Sequence, residues 1–299
     1  MIDIPKTRIE YISDFGNAKV YIKRDDLIPF SYGGNKVRIA WEAFNDAKEK
    51  GCGTFISYGS ASSNLNRVVS QMAAEFSMKC VIIIKKEDDE KEWKLSTNEE
   101  TVRSSGAKLV YTSPEDVRKT VLEVLSMENR PYYIYGDETG KGNEETLSKA
   151  YRKVFSEIRN QEGEMGLKFP YIYTAVGTGS TIKGLSDACD GEHFINGISV
   201  ARNADAFSYL NEHAVVTDDY LLGGYGKYTD ELSGLIRRTY QEHGIPLDPC
   251  YTGKAFYGML CEIEKKKISG NCLFIHTGGY PIFKDMMGIW ESSGYDLKT

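Results

Sequence analysis

The sequence predicts an α/β fold, a parallel sheet with helices on both faces. Short apolar runs of strand length alternate with longer segments whose apolar residues recur at helical spacing. Residues 80–84 are almost wholly apolar, as strands buried on both faces are. Glycine-rich or polar clusters fall where strands should end and helices begin, which is where open α/β sheets bind ligands.

The elements follow in order. Val20-Tyr21-Ile22 reads as a short strand entering an acidic turn at Asp25-Asp26. Residues 36–50 read as a helix, with Val37, Ala40, Trp41, Phe44 and Ala47 along one stripe. A strand at 54–58, a helix at 64–76 and a strand at 80–84 come next. Residues 99–105 are helical and stop at Gly106; 109–111 form a strand, 115–128 a helix and 132–135 another strand. A long helix runs from Glu144 to about Arg159, and Gln161-Glu162-Gly163-Glu164 reads as a loop. Strands are expected at 171–176, 195–200 and 272–276.

Composition narrows the function classes. The chain of 299 residues is long enough for a substantial core, and its net charge of −6 comes with interspersed signs. That excludes the broad basic surface of a nucleic-acid binder, and Lys265-Lys266-Lys267 reads as a solvated helix end. No run of ~18 apolar residues suggests a membrane span. Met1-Ile2-Asp3-Ile4-Pro5 lacks the charged-then-apolar order of a signal peptide. The six cysteines form no C-x-x-C pair and the four histidines stand at no ligand spacing, so reduced thiols, a cytoplasmic location and no metal are expected.

Three clusters carry chemistry. In Ser31-Tyr32-Gly33-Gly34-Asn35-Lys36, glycines permit unusual dihedrals and a lysine opens a helix. Desolvation and the positive helix end would lower its pKa and make it a nucleophile toward an aldehyde; a solvated lysine after a turn is the plainer reading. Gly177-Thr178-Gly179-Ser180-Thr181 follows an apolar strand and precedes a helix, as a phosphate cradle or simply a tight turn would. Ile182 stands where the dinucleotide fingerprint needs its third glycine. Residues 136–141 imitate a nucleotide P-loop but are one residue short, and Gly142 stands where Ser or Thr is needed. The third cluster, Ser57 through Ser63 to Asn64, caps a helix and is compatible with a site.

Together these clusters resemble the family of 1-aminocyclopropane-1-carboxylate (ACC) deaminases and D-cysteine desulfhydrases. The resemblance runs from Tyr21-Ile22-Lys23-Arg24-Asp25-Asp26-Leu27 through Gly33 to Arg38, Ser63-Asn64 and Gly177 to Thr181. It continues at Pro249-Cys250-Tyr251-Thr252-Gly253-Lys254 and His276-Thr277-Gly278-Gly279. It implies a two-domain tryptophan synthase β-like fold (fold type II) that binds pyridoxal 5′-phosphate. The expected larger domain is 1–40 plus 151–299, the smaller 41–150, with the cofactor in the cleft between them. It further implies that Lys36 holds the cofactor as a Schiff base and moves protons. Gly177, Thr178, Gly179, Ser180 and Thr181 would hold the phosphate, and Asn64 the ring oxygen. Ser63 would meet the substrate carboxylate or assist proton transfer. Thr277 would face the pyridine nitrogen, and Tyr225 and Tyr251 resemble the two active-site tyrosines. A homodimer acting on a small amino acid is expected.

Within that family, deaminases typically read Y-E-G-K and H-L-G-G where desulfhydrases read Y-T-G-K and H-T-G-G. This chain has Tyr251-Thr252-Gly253-Lys254 and His276-Thr277-Gly278-Gly279. A hydroxyl keeps the pyridine nitrogen protonated less well than a carboxylate does, which suits rapid loss of a β-substituent. The expected activity is therefore a lyase releasing a 2-oxo acid and ammonia. ACC deaminase, a β-replacement enzyme or racemase, and a non-catalytic sensor of the cofactor or an amino acid are the alternatives. Leu65 departs from the His or Gln usual after Ser-Asn, residues 137–142 replace a Gly/Ala/Asn-rich stretch, and Tyr280 stands where a smaller residue is common.

Overall fold

The computed structural model describes residues 4–86 and 96–292. In chain order the elements are β1 (Ile9–Phe15), β2 (Asn17–Lys23), α1 (Asn35–Glu49), β3 (Thr54–Ser60), α2 (Asn64–Glu75), β4 (Lys79–Lys85) and α3 (Thr97–Ser104). β5 (Lys108–Thr112), α4 (Val117–Met127), β6 (Pro131–Tyr133), α5 (Glu144–Met165), β7 (Tyr171–Val176), α6 (Ser180–Ala188) and β8 (Phe194–Ser199) follow. The last are β9 (Ala214–Thr217), α7 (Asp230–His243), α8 (Thr252–Lys265), β10 (Ser269–Ile275) and α9 (Tyr280–Ser292). They fall into two compact units, one of residues 36–147 and one of residues 4–35 with 148–299.

In the first unit the sheet order is β5-β4-β3-β6, and every pairing is parallel. Ile56, Val81, Ile83, Val121, Val124 and Tyr133 form a buried cluster under α4. On α1 four of the five stripe residues, Val37, Ala40, Phe44 and Ala47, are buried and Trp41 is half-buried, and Phe44 stacks on Phe55 of β3 at 3.7 Å.

In the second unit the order is β1-β2-β10-β7-β8-β9. All pairings are parallel except the edge hairpin β1–β2, whose turn begins at Gly16 with φ +58°. The core joins Val20, Ile22, Tyr173 and Phe274 of the sheet to Ile236 of α7 and Met259 of α8. The sequence gives β1 little signal because an edge strand alternates weakly, and four-residue β9 is short for any pattern.

The expected loop at residues 161–164 is instead the last turn of α5, which runs to Met165. Tertiary contacts override the weak local propensity of Gly163. Gln161 bonds the buried Lys23 ammonium at 2.8 Å and donates to the Thr7 carbonyl. Glu162 accepts from the Phe169 amide at 2.7 Å and meets His193 at 3.0 Å.

The motif at 21–27 is structural. Lys23 is fully buried and pairs with Glu157 at 2.7 Å. Asp25, also fully buried, accepts from the Thr7 and Tyr151 hydroxyls, each at 2.7 Å. Both charges need these partners because an unpaired buried charge is costly.

Candidate active site

In the unit of residues 4–35 and 148–299, the neighbouring strands β2, β10 and β7 run parallel, and the candidate loops leave their carboxyl ends. Arg24 to Asn35 follows β2, His276 to Gly279 follows β10, and Gly177 to Gly179 follows β7. The Gly33-Gly34 turn is dictated by backbone crowding. A Cβ on Gly33 would lie 2.1 Å from the Asp26 carbonyl oxygen, and one on Gly34 would lie 2.7 Å from that of Thr277. Their φ values of +67° and +97° favour glycine as well.

Asn35, which the sequence reading missed as a functional residue, ties these loops together. Its amide N–H donates to the Thr277 carbonyl at 3.0 Å, and its Nδ2 donates to the Thr181 hydroxyl at 3.0 Å. The residue before Lys36 is thereby fixed to both the β7 and the β10 loops. Its place between a glycine pair and a lysine was the available signal.

The loop at 177–181 has the shape of a phosphate cradle. Gly179 sits at φ +99° immediately before α6, where the first amides of the helix point outward without intrahelical partners. A Cβ there would fall 2.3 Å from the Tyr209 hydroxyl. A Cβ on Gly177 would press on the Tyr251 ring at 3.3 Å. Glycine at these two positions lets Tyr209 and Tyr251 approach the loop this closely. The Thr178 and Ser180 hydroxyls bond no other described residue, nor does the Thr277 hydroxyl.

Tyr251 and Tyr225 are brought together, with the Tyr251 hydroxyl donating to Tyr225 Oη at 3.0 Å. Burial first, and then Tyr225, raise the Tyr251 pKa well above that of free tyrosine. Tyr225 is 44% exposed, so it is not a packed core aromatic. Its loop is held by Lys254, whose Nζ donates to the Leu221 and Gly224 carbonyls.

Asp248 is the second residue that sequence reading missed. It is fully buried and its carboxylate accepts from the Cys250, Tyr251 and Thr252 amides and from the Thr252 hydroxyl, at 2.7 to 3.0 Å. Burial raises its pKa while those bonds oppose the rise. Thr252 and the Tyr251 amide thus share Asp248 as their acceptor. His276 is buried too, with Nδ1 accepting from the Gly278 amide at 3.1 Å and the other ring nitrogen donating to the Pro246 carbonyl. Tyr280 stacks on Tyr32 at 6.1 Å.

In the unit of residues 36–147, Lys36 opens α1 after Asn35. No described residue bonds its Nζ, and desolvation lowers its pKa to about 8 although the side chain keeps some surface exposure. At pH 7 about a tenth of such an amine is unprotonated and nucleophilic, far more than of an ordinary solvated lysine. Ser63 caps α2 by accepting from the Asn66 amide at 3.2 Å. Asn64 Oδ1 accepts from Asn98 and Arg67, which leaves the Asn64 amide hydrogens without a partner among the described residues. Leu65 is buried.

Taken unit by unit, the glycine-lined loop at 177–181 suits a phosphate, while in residues 36–147 the lysine of lowered pKa suits an aldehyde and the Asn64 amide hydrogens suit an aromatic ring oxygen. No group of acidic, His and Cys side chains that could hold a metal exists among the described residues. Nor is any described helix long and apolar enough to cross a membrane.

Comparison with known proteins agrees. Residues 2–278 match the family model described as pyridoxal-phosphate dependent enzyme. The chain is 30% identical to a candidate ACC deaminase of Pyrococcus abyssi, over 92% of this chain and 90% of the relative. It is 26% identical to a D-cysteine desulfhydrase of Serratia proteamaculans, over 93% and 91%. The crystal structure of an ACC deaminase homologue, 28% identical, matches with a TM-score of 0.81 over 96% of this chain and 94% of that one.

Proposed function

The chain belongs to the family of pyridoxal-phosphate dependent enzymes, with their fold type II and their cofactor, and we propose that it is a D-cysteine desulfhydrase-like lyase. It would remove a β-substituent from a small amino acid and release a 2-oxo acid and ammonia. The observation that carries this reading is the pair of threonines at 252 and 277, where the deaminase pattern has Glu and Leu. Asp248, the buried carboxylate beside the Gly279 backbone, is consumed by bonds to residues 250–252 and is not offered to a ring nitrogen.

Bound pyridoxal phosphate withdraws electrons from the substrate α-carbon, so that its proton can leave. Lys36 would bind the cofactor covalently through Nζ and, once released, take the α-proton on that atom; a pKa near 8 suits it to both tasks. The amides and hydroxyls of Gly177, Thr178, Gly179, Ser180 and Thr181 would hold the phosphate. Asn64 would donate to the ring oxygen, Ser63 would meet the substrate carboxylate and Thr277 the ring nitrogen. Tyr251 keeps its proton at neutral pH, holds it toward Tyr225 and could turn it from Tyr225 toward the departing group. We place the two units as the two domains of a homodimeric enzyme in the cytoplasm, which the unpaired state of all six cysteines supports.

The relative with 30% identity favours ACC opening as the second reading. One experiment separates them. Purified protein and Lys36→Ala are compared by visible absorption, then given D-cysteine or ACC while sulfide, ammonia and 2-oxo acid are measured. Sulfide and pyruvate from D-cysteine, with little turnover of ACC, supports the lyase. The reverse pattern makes it a deaminase, and no turnover of any small amino acid supports a sensor. Light scattering tests the dimer.

A further inference from the structure

We infer that Arg67 and Asn98 act in series as positioning residues that fix Asn64 as a hydrogen-bond donor to the cofactor ring oxygen. The inference rests on the proposed contact between Asn64 and the cofactor. All three residues lie in the unit of residues 36–147, and Arg67 and Asn98 are 1% and 0% exposed.

The bonds run in one direction. Arg67 Nε donates to Asn98 Oδ1 at 2.7 Å. Asn98 Nδ2 donates to the Ser62 carbonyl at 2.7 Å and to Asn64 Oδ1 at 3.0 Å. An Arg67 terminal nitrogen reaches the same Asn64 oxygen at 3.4 Å. Beside them, the Ser96 hydroxyl donates to the Ala61 carbonyl at 3.3 Å, so the start of α3 clasps the Ser60–Asn64 loop at several points.

The two ends of an amide are alike in size and opposite in sense, so an asparagine alone could face a ligand either way. A guanidinium removes that freedom, because it only donates and stays charged at any physiological pH. It must face Asn98 Oδ1, which turns Asn98 Nδ2 toward Ser62 and Asn64. Asn64 then has to offer its oxygen inward and its hydrogens outward. A donor at the ring oxygen favours the ionised form of that oxygen, by the rule that bonding to a charged form stabilises it. The buried arginine thus sets an electronic property of the cofactor through two side-chain amides.

Asn98→Asp tests this, since a carboxylate can accept from Arg67 but cannot donate to Asn64. The Asn64 oxygen would keep only the long 3.4 Å contact from Arg67, while the new carboxylate draws the Asn64 hydrogens inward and turns that oxygen to the cofactor. In the holoenzyme, the ratio of the long-wavelength band (ring oxygen ionised) to the short-wavelength band (ring oxygen protonated) is read. It should fall about tenfold in N98D and in N64A, the effect of one charge-assisted bond. The N98D/N64A double variant should fall no further than N64A. A shift in N64A but none in N98D overturns the inference and leaves the Asn64 contact standing, as does an N98D shift that persists undiminished in the N64A background. An unchanged band ratio in N64A removes the contact itself and the inference with it. Should N98D not fold, side-chain amide NMR of the wild-type protein decides. Cofactor addition should move the Asn64 signal, assigned by its loss in N64A, and leave that of Asn98 in place; an unmoved Asn64 signal overturns the inference.

Discussion

In residues 4–35 and 148–299, the groups proposed to hold the cofactor are mainly backbone, presented by the loops leaving the adjacent strands β10 and β7 and kept open by glycines. In residues 36–147 they are side chains, Lys36 and Asn64, set at helix starts, with Asn64 oriented by a buried polar network. The backbone half is limited by space. A single Cβ at Gly33, Gly34 or Gly179 meets an atom within 2.7 Å. The side-chain half is limited by hydrogen-bond sense and by charge, since its residues could keep their shapes and still lose their function.

Perturbing the side-chain half at its anchor should have the largest effect. Lys36→Ala removes both the covalent attachment and the proton acceptor, so turnover should drop by about 10⁴-fold or more. The same lysine predicts a pH dependence. Its pKa lies below that of free lysine, at about 8, because burial disfavours the ammonium. Reconstitution of apoprotein with pyridoxal phosphate should therefore accelerate as pH rises toward 8 and level off above it. A stopped-flow rate that keeps climbing toward pH 10 would mean an ordinary solvated lysine.

Gly179→Ala probes the backbone half and should rank second. The new methyl meets the Tyr209 hydroxyl at 2.3 Å and forces φ +99° on an alanine. Cofactor affinity should weaken by roughly tenfold to a hundredfold, about 1–3 kcal/mol of strain. Adding Tyr209→Phe removes the clashing oxygen and should recover part of the loss, read by cofactor titration. No recovery would place the whole cost in the backbone dihedral.

Asp248→Asn should be milder for cofactor binding and more evident in stability. An amide can accept on one atom only, so part of the set from Cys250, Tyr251 and Thr252 is left unpaired. A loss of about 1–3 kcal/mol is expected by denaturant unfolding, together with a lower kcat as Tyr251 loosens. Tyr225→Phe should do least. It removes the acceptor of the 3.0 Å bond from Tyr251, worth about 0.5–1.5 kcal/mol, so kcat should fall severalfold with the fold unaltered. If it fell as far as in Lys36→Ala, the tyrosine pair would be central to the chemistry and the contrast between the two halves would need redrawing.

Much of this protein could be read from its chain. Strand and helix alternation was legible because burying a sheet on both faces demands apolar runs, and β7 falls at the expected 171–176. Gly33, Gly34 and Gly179 stood out because positive φ and close backbone approach admit almost no other residue. Lys36 drew notice only through the ordered resemblance of several motifs, since a lysine after Gly33-Gly34-Asn35 read alone is more plainly a solvated one. Tertiary structure decided the rest. Gln161 and Glu162 extend α5 because partners distant in sequence neutralise their buried polar groups. Asn35, Asp248, Arg67 and Asn98 look like ordinary polar residues in the sequence. Their roles depend on which donors face which acceptors once the chain has folded, and local periodicity carries no information about that.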